Sequence, residues 1–205
     1  MTHLTSPIPA RLDEEEEKKE DQLPQSLAVD KHLFEARNVL ITGPVTMDMA
    51  RDVCSRLFAL AQVSDDPITV IVSSPGGHVE SGDMIHDAIG FIKPKVNILG
   101  MGWVASAGAL IYVSVPKKQR FCTPNTRFLL HQPSGGAGGP ATDIEIQAQE
   151  MLKMRDRLNQ IFADATGQSI ERIDKDTDRD YWMGPEDAIK YGLVGKIVKT
   201  SAELG

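Results

Sequence analysis

The chain is punctuated into short apolar runs and amphipathic stretches that alternate from residue 38 onward. Asn38-Val39-Leu40-Ile41-Thr42, closed by Gly43-Pro44, predicts a buried strand. Thr46 then offers an N-cap for a helix to about Gln62, with Met49, Val53, Cys54, Leu57, Phe58, Leu60 and Ala61 along its apolar side. Asp65-Asp66-Pro67 breaks it, and Ile68-Thr69-Val70-Ile71-Val72 reads as a strand with both faces buried. Ser73-Ser74-Pro75-Gly76-Gly77-His78 leads into a second helix to about Ile92, with Met84, Ile85, Ala88, Ile89 and Ile92 facing inward. Lys93-Pro94 stops it. A third strand, Val96-Asn97-Ile98-Leu99, passes through a turn opened by Gly100-Met101-Gly102 into a helix from Ala107 that ends near Val115.

The pattern then changes. Arg120-Phe121-Cys122 and Arg127-Phe128-Leu129-Leu130-His131 are short strands separated by Thr123-Pro124-Asn125-Thr126, and Gln132 to Pro140 is a glycine-dense loop. Thr142-x-x-Glu145 has the form of a capping box, starting a helix that runs to about Thr166 with Gly167 as its stop. Ile144, Ala148, Met151, Leu152, Arg155, Leu158, Ile161, Phe162 and Ala165 recur along it at helical spacing. Such a helix spans about 37 Å, long for a domain of this size, which points to subunit contact or to a helix lying across its own domain. Ser169 caps a short helix to about Asp176, Gly184-Pro185 starts another that Gly192 stops, and Leu193 to Val198 closes the chain as a strand. Strand–helix units repeated with short links predict an α/β fold with a largely parallel sheet.

Composition modifies this picture at three points. The net charge of −7 is concentrated in residues 13–21, where seven acids face two bases, so residues 1–30 read as a disordered acidic arm and residues 31–205 as the domain. Nothing in the charge balance favours nucleic acid, which would call for a basic face, and the polar N-terminus does not read as a signal peptide. Cys54 and Cys122 are far apart, with neither CxxC spacing nor a histidine-rich setting; they read as buried reduced thiols of a cytoplasmic protein, without disulfide or metal. Val96 to Val115 contains no charge and has the length of a membrane span, but its asparagine, its glycines and its change of period favour a buried strand–turn–helix.

Chemistry concentrates near Ser106, a hydroxyl among small residues where a helix begins. Free backbone N–H groups and the positive end of the helix dipole suit a nucleophile whose attack creates an oxyanion, although small residues at such a turn also serve close packing. The spacing is not that of a GxSxG elbow, since Val104 stands two before the serine. Among the five histidines, His3, His32 and His86 lie in the tail, before the core and within a helix. His78 and His131 stand near strand ends, where α/β folds place their sites. The aspartates are too numerous for spacing to choose among them. Ser74-Pro75-Gly76-Gly77 suits either an oxyanion nest or a plain turn.

Four stretches in register narrow these choices: Ser74-Pro75-Gly76-Gly77; Met101-Gly102-x-x-Ala105-Ser106; Pro124-Asn125-Thr126-Arg127-x-x-x-His131-Gln132-Pro133; and Arg179-Asp180 before Tyr191-Gly192-Leu193-Val194. Together, from about Asn38 to Val198, they closely resemble ClpP, the family of proteolytic subunits of ATP-dependent Clp serine proteases. The resemblance implies a ClpP/crotonase-like fold with a projecting handle helix (handle region 132–167). It implies Ser106 as nucleophile, His131 as general base, Asp180 as its orienting carboxylate, and the Gly77 and Ala107 amides as oxyanion hole. Ser134, Gly135 and Gly136 would bind substrate as an extended edge, unfolded proteins being the substrates. It further implies an endopeptidase of two stacked heptameric rings served by an AAA+ unfoldase such as ClpX or ClpA, which uses the ATP; this subunit then needs no cofactor and no metal. The chain departs from the family pattern in its N-terminal segment, in Thr69 and Ile71 where aromatics are common, and in Gly195 where an aspartate is common; Phe91 is retained. These departures leave room for a structural subunit of a mixed ring, and the fold alone would also suit a crotonase-like acyl-CoA enzyme.

Overall fold

The computed structural model describes residues 25–204; the acidic run at 13–21 lies outside them. The chain divides into two units, one ending at Ala36 and the other beginning at Arg37. In the first, Gln25–Glu35 is helix α1. Residues 25–30, which composition assigns to the arm, are thus helical: Leu27, Ala28, Lys31, Leu33 and Glu35 favour helix, and neither glycine nor proline interrupts them.

The second unit runs β1 (Asn38–Thr42), α2 (Met47–Val63), β2 (Ile68–Ser74), α3 (Val79–Phe91), β3 (Val96–Ala105), α4 (Ala107–Tyr112), β4 (Arg120–Cys122) and β5 (Arg127–Leu130). It continues with α5 (Ala141–Thr166), α6 (Ile170–Thr177), β6 (Tyr181–Met183), α7 (Pro185–Tyr191) and β7 (Lys196–Ile197). The strands form one sheet in the order β1-β2-β3-β4-β7, all parallel. β5 joins β3 in parallel, and β6 joins β5 antiparallel. Val39, Ile41, Val70, Val72, Ile98 and Phe128 are fully buried, and Tyr112 donates its hydroxyl to the Phe121 carbonyl at 2.9 Å within this core.

The predicted caps of α2 and α6 form: Thr46 accepts from the Met49 amide and Ser169 from the Arg172 amide. Several expectations are corrected. Gly100 to Gly102 is not a turn, because β3 continues to Ala105 through a bulge. Between the pairs Val72↔Gly100 and Ser74↔Val104, β3 spends four residues where β2 spends two, with Gly102 at φ 63°. Met84 and Phe58 are exposed rather than inward. β2 is not closed on both faces: Thr69, Ile71 and Ser73 are half-buried, Ile71 packing with Leu99, Phe121, Val198 and Leu204. The capping box does not form, because the helix starts two residues earlier than a Thr142 cap would place it. Pro140 is the N-cap, and its carbonyl accepts from the Asp143 and Ile144 amides. The last strand shrinks to Lys196–Ile197, since the Leu193 and Val194 amides both close the end of α7 on the Ala188 carbonyl. Strand β6, which no apolar run announced, is added.

Helix α5 has 26 residues, and its buried positions, Leu158, Asn159, Phe162 and Ala163, all lie in the C-terminal half. Residues 141–150 are exposed throughout, with Ile144 and Ile146 among them. The helix therefore projects from its domain instead of lying across it. The uncharged Val96–Val115 stretch is β3, α4 and the turn after it, and no helix among the described residues is long and apolar enough to cross a membrane.

Arg37 fastens the end of α2. Its guanidinium donates to the carbonyls of Leu60 (3.2 Å), Ser64 (3.1 Å), Asp66 (2.9 Å) and Pro67 (3.3 Å), tying the last turn of the helix to the loop that follows it. Arg37→Ala is expected to destabilise the protein by about 2 kcal/mol, since the charge-assisted bonds to the part-buried Leu60 and Ser64 carbonyls are lost. A lowered denaturation midpoint at fixed protomer concentration checks this.

Candidate active site

Ser106 sits at the N-cap of α4 with φ 55° and ψ −122°, a conformation costly for a residue with a Cβ. Its backbone is over-determined. The amide donates to the Leu129 carbonyl of β5 at 3.0 Å, and its carbonyl accepts from Ala109 and Leu110. An ordinary N-cap serine turns its hydroxyl back onto the helix, but at this backbone angle Ser106 makes no such bond, so Oγ is left for other work. The packing interpretation of the small residues holds as well. A Cβ on Gly108 would stand 3.1 Å from Ser74 Cβ, and one on Gly82 3.3 Å from Ala107 Cβ, so α4 is wedged against β2 and α3 by their absence.

The Ser74–Gly77 turn lies directly on the serine. A Cβ on Gly76 would come within 2.5 Å of Ser106 Cβ and 2.8 Å of the Ala105 carbonyl. Ser74, fully buried, ties this turn down: its hydroxyl donates to the Gly43 carbonyl (2.7 Å) and accepts the Gly76 amide (3.1 Å). Gly77 forms a parallel bridge with Val45, in which the Gly76 carbonyl and the His78 amide make the bonds. The Gly77 amide therefore points away from Val45. Among the described residues neither it nor the Ala107 amide, the first of helix α4, has an acceptor. Two free donors flank Ser106.

The two candidate histidines separate. His78 is occupied by Ser81 Oγ (2.8 Å at Nδ1) and Glu80 (3.2 Å at Nε2) and lines a different depression, beside Met47 and Arg51. His131 lines the same small apolar cavity as Ser106, whose walls are Val79, Leu110, Leu158 and Phe162. Its Nδ1 is 3.0 Å from Asp180 Oδ1. That pair follows from strand register: β5 and β6 align Leu130 with Tyr181, so the next antiparallel pair is His131 opposite Asp180. A carboxylate at Nδ1 favours the tautomer whose Nε2 carries the free lone pair, the form able to take a proton. No hydrogen bond joins His131 to Ser106 Oγ; such bonds commonly tighten only when substrate is bound. The turn before Asp180 is held by Gln132, whose amide bonds the Thr177 carbonyl (2.6 Å) and whose side chain bonds the Asp178 carbonyl (2.7 Å).

The Clp protease family model matches residues 19–201. The chain belongs to the Clp protease family. It is 59% identical over 194 residues to the ATP-dependent Clp protease proteolytic subunit 3 of Rhizobium meliloti (strain 1021), which covers 95% of this chain and 100% of that one. Against the proteolytic subunit 2 of Pseudomonas aeruginosa it is 56% identical over 174 residues, covering 85% and 87%. A solved structure of ClpP1 from Listeria monocytogenes superposes with TM-score 0.79 at 46% identity, covering 86% of this chain and 99% of that one. This Clp protease is thus a serine-type peptidase of the ClpP fold.

The remaining expected positions are located as well. Ser134, Gly135 and Gly136 run outside any strand, and a Cβ on Gly135 would meet the end of Met151 at 2.9 Å, so the segment passes along α5 with its backbone unpaired. Gly195, where the family resemblance leads one to expect aspartate, has no room for a side chain: a Cβ there would lie 2.1 Å from the Lys117 carbonyl. Cys54 and Cys122 are buried free thiols, and burial pushes the Cys122 thiol up to about 12, so it stays protonated and inert at neutral pH. Sequence reasoning overlooked Gly76 as the contact under Ser106, Ser74 as the anchor of the turn, and β6 as the strand whose start places Asp180.

Proposed function

We propose that this chain is the proteolytic subunit of an ATP-dependent Clp protease, an endopeptidase of the Clp type acting on unfolded proteins. Ser106 Oγ attacks the peptide carbonyl while His131 Nε2 takes its proton, and Asp180 holds the imidazole and offsets its positive charge. The Gly77 and Ala107 amides receive the oxyanion, and the proton then passes from His131 to the leaving amine. The observation that carries this reading is the convergence of Ser106 and His131 on one apolar cavity, with Asp180 hydrogen-bonded behind the histidine. The unpaired backbone at Ser134, Gly135 and Gly136 gives an extended substrate an edge to pair with.

The subunits assemble as two stacked heptameric rings, the exposed half of α5 supplying contact between them. Substrate comes from an AAA+ unfoldase such as ClpX or ClpA, which consumes the ATP, so the subunit itself works in the cytoplasm without cofactor or metal. The exposed apolar surface at Phe91, 82% accessible and edge-on to Phe58 at 6.3 Å, supports docking of that partner. The test is chemical. A fluorophosphonate probe is expected to modify the assembled protein at Ser106, located by peptide mass spectrometry. An assembled protein that cleaves peptides yet is never modified there overturns the reading.

A further inference from the structure

Asp180 is an exposed carboxylate, 63% accessible, whose hydrogen bond is the one to His131. Its position rests on the backbone of β6, a three-residue strand that pairs with β5 alone. So short an edge strand specifies its own register weakly. Gln132 secures the turn before Asp180. After it, Tyr181 enters a closed cluster of four side chains from three elements. The Tyr181 ring stacks on Tyr191 of α7, centroids 5.5 Å apart at 43°. Tyr191 Oη donates to Asp176 Oδ2 of α6 at 3.0 Å, and Arg172 Nε donates to the same oxygen at 2.5 Å. Arg172 Nη2 reaches Tyr181 Oη at 3.5 Å, closing the ring. The Asp176 side chain is only 9% exposed, and burial together with the Asp176 bond pushes the Tyr191 hydroxyl well above the ordinary tyrosine range, so it remains a donor.

We propose that Asp176, Tyr191, Arg172 and Tyr181 are a positioning network that holds β6 in register and thereby sets the Asp180 carboxylate against His131. The proposal rests on the Ser106–His131–Asp180 reading above. The cluster joins the helix before β6 to the helix after it through the residue that follows Asp180, so a shift in any member moves the strand relative to Leu130. The ring stack is the contact that reaches β6 itself; the hydroxyl of Tyr181 adds only a marginal bond.

Tyr181→Ala removes the stack, whereas Tyr181→Phe keeps it. In the assembled full-length protein, Tyr181→Ala is expected to lower kcat on a fluorogenic peptide by roughly tenfold or more with KM little changed. Tyr181→Phe is expected to restore near wild-type turnover. A loosened Asp180 no longer holds the imidazole in place, so the loss falls on the chemical step rather than on substrate binding. Should Tyr181→Ala fail to assemble, Asp176→Asn, nearly isosteric, is expected to lower kcat by less, again with KM little changed. An unchanged kcat in the assembled variants, or Tyr181→Phe as impaired as Tyr181→Ala, overturns the proposal. Fluorophosphonate modification of wild-type Ser106, run alongside, separates the two readings: its failure sinks the triad, whereas success with an unchanged kcat in Tyr181→Ala sinks only the network.

Discussion

Ser106→Ala is expected to lower kcat/KM on short fluorogenic peptides by at least about 10³-fold while leaving the assembled protein intact. The size of the effect follows from what the hydroxyl does. Without it His131 has no proton to take, and the free Gly77 and Ala107 amides have no tetrahedral intermediate to stabilise beyond what water attack provides. The substitution should not disturb the fold. Ser106 is anchored by its backbone bonds to Leu129, Ala109 and Leu110, none of which uses Oγ, and its hydroxyl caps nothing. Residual turnover should therefore come from a correctly assembled particle, which sedimentation verifies. Peptide cleavage at the wild-type rate would remove Ser106 from the mechanism altogether.

Gly76→Ala is expected to be nearly as damaging, by roughly 10²-fold or more in kcat/KM, although residue 76 has no reacting atom. Two costs coincide there. The backbone has φ 92°, where a side chain is strained by about 1–2 kcal/mol, and the new methyl would stand 2.5 Å from Ser106 Cβ. Either the turn or the serine must give way. Ser74 holds the turn to Gly43, and α4 is wedged at Gly108, so the displacement falls on Ser106 and on the neighbouring Gly77 amide. Misplacing a nucleophile by about 1 Å is enough for a loss of this order. The readout is the rate of fluorophosphonate modification together with kcat/KM, in a variant whose circular dichroism matches the wild type; unchanged rates would mean that the turn and the serine are not mechanically coupled.

The regular elements were legible because their causes are local. Thr46, Ser169, Gly167 and Gly192 cap or stop helices through groups within four residues of themselves, and each acts where the pattern places it. Errors arose where a distant partner decided. Gly100 and Gly102 resemble turn glycines until the bulge against β2 is seen, and β6 has no apolar run because a three-residue edge strand needs none. Thr142-x-x-Glu145 has the letters of a capping box, yet Pro140, with φ fixed by its ring, starts the helix first.

The sequence alone determined that this is an α/β chain with an acidic N-terminal segment and one long helix, and that a hydroxyl stands among small residues at the start of α4. Its four stretches in register carried the family resemblance. That resemblance implied His131 and Asp180; apart from it, the physical reason for preferring His131 to His78, and one carboxylate among many aspartates, lies in the tertiary structure. A shared cavity brings His131 to Ser106, and the antiparallel register of β5 and β6 brings Asp180 to His131 across 49 residues of chain. The physical reason is range. Caps, breaks and periodicity act within a few residues and are written in the order of the letters. A site assembled from the ends of three strands depends on register, and register is set by pairing and packing between segments far apart in that order.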